Sequence, residues 1–174
     1  AHEYLADLER DFKVSIVTQN VDDLHERAGS SSVLHLHGEL LKARSTANPK
    51  DIKEWKKDLN IGDLCIKGYQ LRPDIVWFGE RPYFLDHIRD LVSKCDLFAA
   101  IGTSGVVSPA NELVGLAMRK GAHSLEINIK PTKKEENLIF KNPLNNNNPN
   151  KFPFGSKSFP NKNFKKKNEK IKIP

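Results

Sequence analysis

Apolar positions along the first 132 residues fall into short blocks whose spacing switches between helical and strand periods. Tyr4, Leu5 and Leu8 recur at helical intervals before Asp11, which predicts an amphipathic helix over 1–11. Residues 12–17 are rich in β-branched and aromatic side chains and predict a buried strand. A polar turn over 18–23 follows, then a short helix around 24–28, closed by Gly29 and a serine cluster. Residues 33–37 predict a second short strand, ended by Gly38.

The same alternation resumes further on. Ile75, Val76, Trp77 and Phe78 form a strand pattern after Pro73, and Gly79 stops it. Phe84, Leu85, Ile88, Leu91 and Val92 fit a helix over 83–94. Residues 97–101 are a fully apolar strand running into Gly102-Thr103-Ser104-Gly105. A helix pattern follows Pro109 and stops at Gly121, and 123–129 reads as a strand. Alternating strands and helices of this length argue for a doubly wound α/β domain: a Rossmann-like parallel sheet with helices on both faces. Residues 41–70, polar and poor in apolar positions, read as an excursion from that core, a small lobe inserted in it.

Composition separates off the C-terminal end. Residues 133–174 hold eleven of the 28 cationic residues and three of the 22 acidic ones, together with ten Asn and five Pro. The tail therefore carries +8 and residues 1–132 carry −2, so the overall +6 belongs to the tail. Its aromatics keep no period, and it is expected to be disordered because so little apolar area cannot offset the entropy of ordering. The acidic balance of 1–132 argues against a nucleic-acid-binding domain, leaving only weak electrostatic binding by the tail. Two cysteines exclude a disulfide-dense secreted module and favour a reducing compartment, the cytoplasm, with the mitochondrion as the alternative. No run of eighteen apolar residues is present, so no membrane span is expected. The N-terminus lacks Met and a signal pattern, which suggests that the chain begins inside a longer product.

Ligands in open α/β sheets bind beyond the carboxyl ends of the strands, where this chain concentrates its polar residues. Gln19, Asn20 and Asp22 follow the first strand, His37 the second, Gly79 and Glu80 the third, and Gly102, Thr103 and Ser104 the fourth. A Gly-Thr-Ser turn lets backbone N–H groups and hydroxyls approach a phosphate or ribose, and Asn, Gln and Asp can read an amide or a diol. Each piece also has a plain reading: turn chemistry for 19–22, and alternating strand positions for His35 and His37. A serine hydrolase is disfavoured because 102–105 lacks Gly-x-Ser-x-Gly spacing.

Taken in order, TQNVDDLHERAG, LHLHGEL, LRPDIVWFGE and IGTSGVVSPA resemble the sirtuin family of NAD-dependent protein lysine deacylases, and most of all its class III, bacterial and mitochondrial-type branch. The resemblance covers residues 1–132. It implies that NAD is a co-substrate, that acyl-lysine proteins or peptides are substrates, and that nicotinamide and O-acyl-ADP-ribose are products. His37 would be the general base toward the nicotinamide ribose. Gln19 would contact that ribose, Asn20 and Asp22 the nicotinamide pocket, Gly102, Thr103 and Ser104 the phosphate and ribose side, and Asn128 the adenosine ribose. Val76, Phe78, Gly79 and Glu80, with residues 105–107, would be the edge to which substrate peptide adds.

Departures from the family pattern set further expectations. Ser45 stands where related proteins have cysteine and only Cys65 remains in the small lobe, so no zinc is expected there. The family's glycine-rich pyrophosphate loop lies upstream of Ala1 in the pattern. That makes an inactive remnant, or a peptide-binding module, the alternative to an active deacylase.

Overall fold

The computed structural model describes residues 1–104, 108, 110–129 and 140–143. They belong to two compact units, one ending at Leu85 and the other beginning at Asp86. Among the described residues no helix is long and apolar enough to cross a membrane.

In the first unit, the predicted N-terminal helix is present as α1 (His2–Asp7) followed by a 3₁₀ turn. Strands β1 (Ile16–Thr18) and β2 (Val33–His35) pair in parallel, Ile16 opposite Val33 and Thr18 opposite His35. Parallel neighbours need a crossover, and the segment carrying α2 (Leu24–Arg27) provides it.

The rest of this unit departs from the sequence expectation. The chain turns directly from β2 into β3 (Gly38–Ser45), which is flanked by β4 (Ile52–Glu54) and β5 (Leu71–Ile75) in an antiparallel ladder of order β4-β3-β5. The strand expected at 75–78 therefore lies earlier, and residues 76–78 follow its end. Pro73 obscured it, since a residue without an N–H reads as a breaker, yet β5 is an edge of this ladder and an edge tolerates the missing donor.

The excursion at 41–70 has an internal framework. Ala43, Cys65 and Leu71 are buried together with Trp55 and Leu59 packed against them, and the ammonium groups of Lys53 and Lys57 lie 4.9 and 4.6 Å from the centre of the Trp55 ring. Gln70 ties the loop closed. Its Nε2 lies 3.1, 3.1 and 3.0 Å from the carbonyl oxygens of Asn60, Asp63 and Leu71, and its Oε1 accepts the Gly62 N–H at 2.8 Å. One amide side chain thus satisfies backbone groups from both ends of a turn whose own pairing is a single bridge, Leu64 to Gln70.

The second unit follows the expected pattern closely. Helix α3 (Leu85–Ser93) buries Ile88 and Val92, one turn apart. Strand β6 (Leu97–Ile101) pairs in parallel with β7 (His123–Asn128), and α4 (Ala110–Arg119), which joins them, buries Leu113 and Ala117. The tail departs from its expected disorder at four residues: 140–143 form β8 (Phe140–Pro143), parallel to β7. Backbone bonding to an open strand edge needs no side-chain period, so the sequence carried no sign of it. Otherwise the tail lies outside the described residues.

Candidate functional site

The first cluster forms where β1 and β2 end. The Leu36 N–H donates to the Thr18 carbonyl at 2.9 Å, carrying the β1–β2 register one step further, and the Asn20 N–H folds back onto Thr18 Oγ1 at 3.1 Å. The two histidines then hold that turn from the other side. His35 Nδ1 lies 3.2 Å from the Asn20 carbonyl oxygen and His37 Nδ1 lies 3.1 Å from the Gln19 carbonyl oxygen. A carbonyl only accepts, so His37 carries its proton on Nδ1 when neutral, and Nε2 is left with a lone pair. An imidazole fixed this way is a base. Asp22 Oδ1 accepts the Leu24 N–H at 3.1 Å, where α2 begins, so its carboxylate also serves the local turn.

Residues 76–80 are joined to the same place through backbone. The Val76 N–H donates to the His37 carbonyl at 2.9 Å, which puts the expected substrate segment directly beside the histidine. Trp77 and Phe78 are exposed, Phe78 fully, and Gly79 has a φ of +89° with nothing within 4 Å of where a Cβ would stand. An exposed aromatic pair on an open turn is a surface made for contact.

Glu80 does something the sequence pattern does not reveal. Its carboxylate receives Arg72 Nη1 at 2.6 Å, Arg72 Nη2 at 3.1 Å, Arg44 Nη2 at 3.0 Å and the Trp77 N–H at 2.9 Å. Tyr83 donates to Asp74 Oδ1 at 2.7 Å and accepts from Arg44, while Arg44 and Asp74 are almost wholly buried. Burial, and then the Asp74 hydrogen bond and charge, push the Tyr83 phenol up to about 12. The hydrogen bond from Arg72 and then the Trp77 N–H bring Glu80 down from 4.5 to about 2. A carboxyl that titrates lower when folded contributes stability that is complete above 4.5 and is lost as pH falls toward 2. Glu80→Gln is therefore expected to flatten the acid side of the stability curve between those values, as read by urea unfolding at stepped pH; an unchanged acid slope would refute the assignment.

The second cluster lies in the other unit, where β6 and β7 end. The Gly102 N–H donates to the Ile127 carbonyl at 2.9 Å, which starts the Gly102-Thr103-Ser104 turn, and the Asn128 side-chain amide donates to the Thr103 carbonyl at 2.7 Å. Gly102 has a φ of +62° and open space around its Cα. These bonds bring Gly102, Thr103 and Asn128 together, with Ser104 next along the turn. Residues 105–107 lie outside the described residues.

Each cluster suits a part of a ribose-bearing cofactor such as NAD. Nε2 of His37 is an acceptor for a hydroxyl proton, and the backbone at Gly102 is free of any side chain that would block close approach of a polar ligand. In the small lobe the buried Ser45 hydroxyl donates to Cys65, which is the main influence lowering that thiol. Among the described residues no group of three or more His, Cys, Asp or Glu is placed to hold a metal. Sequence reasoning missed Arg44, Arg72, Asp74 and Tyr83 as the support of residues 76–80. Only the nearness of Arg72 to Glu80 could have signalled it.

The sequence profile described as the Sir2 family matches residues 1–109. An NAD-dependent protein deacylase of Helicobacter pylori is 57% identical over 113 residues, 65% of this chain and 49% of that protein. The chain thus spans about half the length of the curated relatives it matches. A solved structure of a Sir2 homolog–NAD complex aligns with a TM-score of 0.70 at 40% identity, over 76% of this chain and 54% of that one. A Sir2–p53 peptide–NAD+ structure aligns with a TM-score of 0.69 at 30% identity, over 82% and 63%.

Proposed function

Since this chain belongs to the Sir2 family, we propose that it serves NAD-dependent removal of acyl groups from protein lysines, with His37 as general base. The observation that carries the reading is the commitment of the His37 Nδ1 proton to the Gln19 carbonyl, which leaves Nε2 to take a proton. NAD, when bound, supplies the ribose that accepts the acyl group. His37 removes a proton from a hydroxyl of that ribose, a task suited to an imidazole near neutrality. The 18–20 turn presents Gln19 and Asn20 to the nicotinamide end, while Gly102, Thr103, Ser104 and Asn128 serve the phosphate and adenosine side.

An acyl-lysine peptide lies along residues 76–79, where exposed Trp77 and Phe78 and main-chain bonding at the open Gly79 turn give affinity without demanding a particular sequence. The p53 peptide carried by one of the similar structures supports a peptide as the second substrate. Two free thiols, Cys65 and Cys95, are consistent with work in a reducing compartment, which in this proposal is the cytoplasm.

The test is incubation of the purified chain with NAD and an acetyl- or succinyl-lysine peptide, read by mass spectrometry, with titration calorimetry of each ligand alongside. Free nicotinamide appearing in step with deacylated peptide supports the proposal. Peptide binding without NAD binding or turnover would replace it with a peptide-binding module.

A further inference from the structure

His35 is buried, lies outside the role given to His37, and makes two contacts whose chemistry is unusual together. Nδ1 sits 3.2 Å from the Asn20 carbonyl oxygen and Nε2 sits 2.8 Å from Glu26 Oε1. Both partners only accept, so a ring with a proton on each nitrogen satisfies the two bonds at once. Burial pushes the Glu26 carboxyl up, but the hydrogen bond from His35, a backbone hydrogen bond and the attraction of His35 and His25 together hold it below the ordinary 4.5, so the acceptor is an anion at neutral pH.

The place of these bonds matters. Of the contacts that fix the 18–20 turn, one is the short-range Asn20 N–H to Thr18 Oγ1 bond, and the next comes only at the Val21 carbonyl, which accepts from Leu40. Between them the carbonyls of Gln19 and Asn20 accept adjacent bonds from Nδ1 of His37 and Nδ1 of His35. The Asn20 carbonyl belongs to the peptide plane next after the one that carries the Gln19 carbonyl, so fixing it restricts the Asn20 dihedrals through which the acceptor that sets the His37 tautomer can turn.

We propose that His35, clasped by Glu26, is a positioning residue for the base: it holds the Gln19-Asn20 turn so that the Gln19 carbonyl keeps the proton on His37 Nδ1 and Nε2 stays an acceptor. The proposal rests on reading His37 as the base. Beyond Glu26, the titratable group tied to His35 is His25 of α2, which itself faces Asp22, Glu26 and His2 of α1, the last set edge-on against it at 4.5 Å. The Asn20 carbonyl is held by His35 Nδ1, so replacing His35 with an apolar residue removes that bond.

The experiment uses the full chain labelled with ¹⁵N-histidine and reads the tautomer of His37 from long-range ¹H–¹⁵N couplings at matched pH, without NAD or peptide. The free neutral histidine side chain prefers the proton on Nε2, so the protein must impose the opposite choice. In the unaltered chain His37 is expected as the Nδ1–H form. His35→Leu is expected to shift the ratio toward Nε2–H by roughly fivefold, the worth of one hydrogen bond. His35→Asn, whose amide reaches the same carbonyl as Nδ1 did, restores the wild-type ratio.

Should His35→Leu fail to fold, Glu26→Gln carries the test, because Glu26 is about two-fifths exposed and the change keeps its size while removing its charge. It is expected to move His37 in the same direction by a smaller factor. A His37 ratio unchanged in both His35→Leu and Glu26→Gln, or in Glu26→Gln alone where the first does not fold, overturns the proposal. Because the signal is read without substrates, the positioning role is tested even in a chain that does not deacylate.

Discussion

His37→Asn is expected to lower NAD-dependent deacylation by about 10²–10⁴-fold, the usual contribution of a positioned general base. Asparagine is the informative choice because its side-chain nitrogen stands where Nδ1 stood and still donates to the Gln19 carbonyl, 3.1 Å away in the parent. The turn is kept and only the Nε2 lone pair is lost. Thermal stability should therefore move little, and calorimetric binding of NAD and peptide should be preserved while turnover falls. If His37 merely braced the turn, the result would be the reverse: activity within a few-fold of the parent. A phenylalanine at 37 tests the other half of the argument, since it removes both the base and the brace and should cost binding as well as rate.

Brace and base differ in how far each is legible from local pattern. α3 and β6 follow from local pattern alone because α3 buries Ile88 and Val92 on one stripe and β6 is a continuous apolar run. The two histidines announce a site only through the ordered motifs around them. Nothing nearby in sequence says that His35 and His37 bond to residues fifteen and eighteen positions earlier.

The antiparallel ladder is the least legible part, and for a physical reason. β3 and β5 bury Arg44 and Asp74 where a sheet strand ordinarily buries apolar side chains, so their alternation reads as polar surface. The groups that make this burial tolerable are Glu80 and Tyr83, 36 and 39 residues beyond Arg44. Local pattern cannot reveal partners at that separation. The same network explains why 76–78 has the composition of a strand without forming one: its β-rich side chains serve exposed contact, while its conformation is held by the Glu80 carboxylate.

Gly38→Ala is expected to be the most destabilising small substitution in this unit. Gly38 adopts a φ of +82°, and a Cβ there would stand 1.9 Å from the Asp74 carbonyl oxygen and 2.9 Å from its carbon. The left-handed backbone alone costs an alanine about 1–2 kcal/mol. The clash is with backbone of β5, paired to β3 with Gly38 opposite Ile75, so relief requires the two strands to part at the point where Arg44 and Asp74 are buried. A total loss of about 4 kcal/mol or more follows, or roughly 10 °C in melting temperature for a chain of this length. Gly68→Ala separates the two contributions. Gly68 has nearly the same φ, +80°, but nothing within 4 Å of its Cβ position, so it should lose only about 1–2 kcal/mol. Equal losses at the two sites in parallel thermal unfolding would show that strands β3 and β5 yield without cost. A larger loss at Gly38 would establish that the glycine following His37 is required by the close approach of β5, which leads into the segment bonded to His37 through Val76.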